Sequence, residues 1–158
     1  MKFRLTSLSF ALALLFTAAW QPAQAQSCAV GASQTAFGYY SPSNPIDTDT
    51  IGNVNVTCTA LVSLLVSYSI KFGQGTYGTF TQRQLGSGTQ RMNYQLYTNL
   101  SRTTVWGDGS ASTGFRIDGY LLGLVQVSLD YPVYGRIPAG QNVGPGAYTD
   151  SIQVTLTY

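Results

Sequence analysis

An all-β fold, an antiparallel β-sandwich, is the class this sequence predicts, and three observations carry the prediction. Apolar and polar residues alternate along several short stretches, the period of a half-buried strand. Gly, Asn, Asp, Pro and Ser punctuate the gaps between those stretches. Helix signals are nearly absent.

The chain opens with a segment set apart from the fold. Lys2 and Arg4 precede a mostly apolar run over 5–20, and Ala23-Gln24-Ala25 is a small-x-small cleavage signal. This is the pattern of a secretory signal peptide removed after Ala25. Cleavage leaves a single expected domain, 26–158. The net charge of +2 is carried by the leader. Without Lys2 and Arg4, six basic residues face six aspartates, and there is no glutamate or histidine. A neutral, polar, weakly charged surface suits an extracellular structural protein and gives no electrostatic case for nucleic acid. The two cysteines, Cys28 and Cys58, enter an oxidising compartment, where a disulfide is the default.

The strands follow in order. A first one is expected around 29–38. NVNVTC (53–58) turns Val54, Val56 and Cys58 inward. VSLLVSYSIKF (62–72) lines one face with Leu64, Val66, Tyr68, Ile70 and Phe72. RMNYQLYT (91–98) groups Met92, Tyr94 and Leu96. LVQVSLDYPV (124–133) groups Val125, Val127, Leu129, Tyr131 and Val133, and Pro132 should sit at an edge or bulge. In SIQVTLTY (151–158), within a last strand expected over 148–158, Ile152, Val154, Leu156 and Tyr158 share a face.

Motifs of chemistry are weak. GQGTYG (73–78) matches G-x-G-x-x-G, but no helix follows to hold a pyrophosphate, so it is a glycine-rich loop. DTD (47–49) lacks the frame of a calcium loop. The remaining aspartates are scattered, and a serine nucleophile has neither a histidine base nor an elbow motif. NVT (55–57) and NLS (99–101) are glycosylation sequons by pattern only. The expectation is a non-enzymatic protein with no metal and no cofactor. Tyr39, Tyr40, Tyr77, Phe80, Tyr120, Leu121 and Leu122, in turn-rich or apolar loop-like stretches, are candidate surface contacts.

An ordered set of segments resembles one family. Cys28, FGYYSPSN (37–44), the V-x-V-x-C segment ending at Cys58, QRQL…MNYQLYTN (82–99), VWGDG (105–109), YGRIPAGQ (134–141) and PGAYTDSIQVTLTY (145–158) together resemble the spore coat protein U domain. That family includes subunits of Csu-type archaic chaperone–usher pili. The resemblance implies an immunoglobulin-like sandwich lacking its last strand, with the usual cysteine pair matched by Cys28 and Cys58. It implies a donor-strand groove walled by Ile152, Val154, Leu156 and Tyr158. It also implies a periplasmic chaperone, an outer-membrane usher and a neighbouring pilin subunit that donates an N-terminal strand. The product would be a cell-surface fibre serving adhesion or biofilm formation. One departure stands out. Fibre-body subunits carry an alternating apolar extension before the first cysteine, whereas only Gln26 and Ser27 would remain here. Such a subunit accepts a strand without giving one, which is expected of a tip or cap. The competing expectation is a self-contained secreted binding module or a coat protein that does not polymerise.

Overall fold

The computed structural model describes residues 26–60, 65–121 and 126–158. The expected signal peptide, Leu64, Leu122, Leu124 and Val125 lie outside the described residues. Among the described residues the chain forms β1 (Gln26–Ala32), β2 (Thr48–Ala60), β3 (Leu65–Phe72), β4 (Tyr77–Gly78), β5 (Arg83–Ser87), β6 (Gln90–Tyr97), β7 (Arg116–Leu121), β8 (Val127–Ile137) and β9 (Val154–Thr157). All pairings between them are antiparallel. One sheet has the order β1-β2-β8-β6-β5-β4 and the other β7-β3-β9.

The alternation in the sequence explains how the sheets face each other. On β2, Val54, Val56 and Cys58 are buried while Asn53, Asn55 and Thr57 point outward. On β3, Val66, Tyr68, Ile70 and Phe72 are buried, and on β6 Met92, Tyr94 and Leu96. Tyr131, Val133 and Ile137 of β8 complete the core from below. Burying one such aliphatic or aromatic side chain contributes about 1.5–3 kcal/mol. Trp106 closes one end. It is fully buried, stacks on Phe72 with ring centroids 4.4 Å apart, and donates its indole N–H to the Ile70 carbonyl.

Cys28 and Cys58 are register partners on β1 and β2 and form the disulfide. Pro132 lies in β8 opposite Asn53 of β2, whereas pairing with β6 begins only at Tyr134. The proline therefore occupies a stretch of β8 that has one unpaired side, the place where a missing N–H costs no ladder bond.

The structure corrects several sequence expectations. The first strand is Gln26–Ala32 rather than 29–38, and the last is Val154–Thr157 rather than 148–158. Residues 33–42 and 143–153 instead run as irregular segments. β8 runs on to Ile137 because alternation continues through Tyr134 and Arg136 on the outer side. Tyr120 and Leu121 belong to strand β7, not to a loop.

Candidate functional site

The two irregular segments, 33–42 and 143–153, face each other across an open cleft of about 820 Å³. Its floor is core: Val54, Phe72, Met92, Leu96, Val133 and Ile137 line it. The sandwich is thus open beyond the ends of β1 and β9, edge strands that themselves approach each other. Among the described strands, β1 pairs only with β2 and β9 only with β3.

Side chains, more than backbone ladders, hold each rim. On the first rim Ser33 bonds Asn53, and the Thr50 hydroxyl donates to the Ala36 carbonyl at 2.7 Å. Phe37 meets Tyr94 edge-on at 5.9 Å between centroids. The Tyr40 hydroxyl accepts from the Gln141 N–H at 2.7 Å and donates to the Pro138 carbonyl. On the second rim Thr149 exchanges two backbone bonds with Gly86. The Asp150 carboxylate accepts from Thr76 N–H at 2.7 Å, Ser151 N–H at 2.8 Å and the Tyr94 hydroxyl at 2.6 Å. Burial and the adjacent carboxylate push the Tyr94 pKa up, so this hydroxyl stays a donor. Among the described residues, 34–40 and 150–152 make no backbone–backbone hydrogen bond. Both rims therefore leave main-chain donors and acceptors without ladder partners beside an apolar floor, and such edges are a template for another strand.

The predicted groove residues divide. Ile152 and Val154 line the cleft. Leu156 is half-buried against the core beyond it, and Tyr158 is 52% exposed at the chain's last position. The first rim and the Asp150–Tyr94 pair were not foreseen. The first strand was expected to run on through 33–38, which hid the rim, and Asp150 reads as one more scattered aspartate.

The candidate contact residues also divide. Tyr39 (89%) and Leu121 (72%) are strongly exposed. Tyr40 and Tyr120 instead pack against the core, and the Tyr120 hydroxyl bonds the Cys58 carbonyl. Tyr77 is half-buried beneath the Arg91 guanidinium at 4.0 Å. Phe80 is half-buried too, near Arg83. Leu122 lies outside the described residues. Among the described residues no group of His, Cys, Asp or Glu could hold a metal ion, and no helix is long and apolar enough to cross a membrane.

Comparison with known proteins agrees with this architecture. A chain in the crystal structure of the CsuC–CsuE chaperone–tip adhesion subunit pre-assembly complex, from the archaic chaperone–usher Csu pili of Acinetobacter baumannii, superposes with a TM-score of 0.55. It is 17% identical; the match covers 84% of this chain and 40% of that one, so it bears on fold alone. Protein U of Myxococcus xanthus is 30% identical over 141 residues, which cover 81% of this chain and 73% of that protein. Residues 14–155 match the Spore Coat Protein U domain, and the chain belongs to that family.

Proposed function

We propose that this protein is an exported, non-enzymatic subunit of a chaperone–usher surface fibre, and that its cleft receives an extended strand from another polypeptide. The observation that carries this reading is the open side of the sandwich, where a core floor lies between two rims of unladdered backbone. An extended segment laid there hydrogen-bonds both rims and drops alternate side chains onto the floor. Burying four or five of them contributes about 6–15 kcal/mol before ordering costs. A periplasmic chaperone supplies the strand first. A neighbouring subunit's N-terminal extension then replaces it at the outer-membrane usher, and the fibre serves adhesion or biofilm formation.

Within the fibre we assign this subunit to the tip or cap. Gln26 and Ser27 already pair with Ala60 and Thr59 in the protein's own sheet, and the stretch before them contains Pro22 and no apolar alternation. Such a stretch is a poor strand to donate. At that position Tyr39 and Leu121 are the exposed contacts.

The test is to append an alternating apolar segment after Tyr158 through a flexible linker. The expected outcome is a soluble monomer with a sharp, raised melting transition, while the unextended chain aggregates when no chaperone is present. A stable unextended monomer, unaffected by the added segment, would instead support a self-contained module or a non-polymerising coat protein. Immunogold labelling of an epitope in the exposed 43–46 loop tests the tip assignment and should mark fibre ends only.

A further inference from the structure

The floor of the cleft is apolar, and beside it Asp150 of the second rim meets the Tyr94 hydroxyl. We infer that this pair selects a strand bearing a small hydroxyl side chain, Ser or Thr, at one inward position. The inference rests on the strand-accepting reading above.

The pair is built, not incidental. Both residues line the cleft. Asp150 Oδ1 accepts two backbone N–H groups, from Thr76 and Ser151, and Oδ2 accepts the Tyr94 hydroxyl. A carboxylate offers about four lone-pair sites, so three filled sites leave one acceptor on Oδ2. Gly75 keeps room for the group: its φ is +91°, and a Cβ there would stand 2.1 Å from Asp150 Oδ2. That glycine is therefore needed twice, for its conformation and for the space.

Charge decides the class of donor. Arg83, the register partner of Tyr94, is fully buried, and its guanidinium donates only to neutral acceptors: the Gly73 and Trp106 carbonyls and Gln95 Oε1. With Arg83 already buried beside Tyr94 as a cation bonded to neutral acceptors, an incoming ammonium adds a second positive charge and loses its hydration. A neutral hydroxyl fills the remaining acceptor without bringing charge into the cleft.

The experiment uses the full chain and synthetic twelve-residue peptides with Val at every inward position. Val is replaced by the nearly isosteric Thr one position at a time. Thr should weaken binding about tenfold at most positions, because a buried hydroxyl without a partner is penalised. At one position Thr should bind at least as tightly as Val, and Lys there about tenfold more weakly than Thr. In an Asp150→Ala variant that position should show the same tenfold loss as the others. A uniform Thr penalty in the unmodified protein, a Thr preference that survives Asp150→Ala, or Lys outranking Thr would overturn the inference. If not even the all-Val peptide binds, the strand-accepting reading itself fails, and that result is distinct from the other three.

Discussion

Arg83 is fully buried yet bonds no carboxylate, and its four hydrogen bonds tie three parts of the chain together: the Gly73 turn, β6 at Gln95 and the Trp106 segment. Burial pushes its pKa down, but an arginine keeps its proton. Arg83→Ala leaves the Gly73 and Trp106 carbonyls without these donors and opens a cavity. A loss of about 3–5 kcal/mol in urea unfolding is expected. A second residue-scale prediction concerns pH. Tyr68, Tyr131 and Asp118 form a hydroxyl chain between the sheets, and burial together with these neighbours raises the Tyr131 pKa. Unfolded tyrosine titrates at about 10. A raised folded value means the stabilisation is present below that pH and is lost as pH climbs above it. Tyr131→Phe should cost about 1 kcal/mol at neutral pH. It should also flatten the alkaline fall in stability by about 1.4 kcal/mol per pH unit, one proton's worth. An unchanged slope would exclude Tyr131 from that titration. Met92, Tyr94 and Leu96 were legible in the sequence because strand period and hydrophobicity agree. Arg83 was not, because nothing local distinguishes a buried arginine from a solvated one.

Strands differ in how plainly they announce themselves. β2, β3, β6 and most of β8 were readable because one face packs on the core and the other meets water. β5 was hidden by Arg83 and Gln84, which break the apolar alternation with polar side chains. β7 was legible only in part: its end, Tyr120 and Leu121, was taken for the start of an exposed apolar run. It is an edge strand whose Ile117 and Leu121 do face solvent, while Tyr120 turns inward. β1 has one large aliphatic side chain, Val30, and the disulfide joins it to β2 at Cys58. Closing a loop over a separation of 30 residues stabilises the fold by about 3–4 kcal/mol in the chain-entropy model. The paired variant Cys28→Ala with Cys58→Ala should lose about that much in urea unfolding. Amides of Gln26–Ala32 should then exchange first, since one free sheet edge holds them. Equal exchange across β1 and β2 would mean that packing, not the cross-link, secures β1.

At the scale of the molecule, two sheets share one core and leave it uncovered along one side. The sandwich class was legible from alternation and punctuation. The position of the opening was not, because it depends on where two segments fail to form strands. Residues 33–42 are held through Ala36, Phe37 and Tyr40 by Thr50, Tyr94 and Gln141, and residues 143–153 through Thr149 and Asp150 by Gly86, Thr76 and Tyr94. On the proposed reading, this cleft with its apolar floor and unladdered rims accepts a strand. Amide hydrogen exchange, with and without an alternating apolar twelve-residue peptide, tests this most directly. The expected result is fast exchange at Thr35, Phe37 and Ile152 in the free protein and strong protection once the peptide is bound, with β2 and β8 protected throughout. Slow exchange at those three amides in the free protein, unchanged by the peptide, would contradict it.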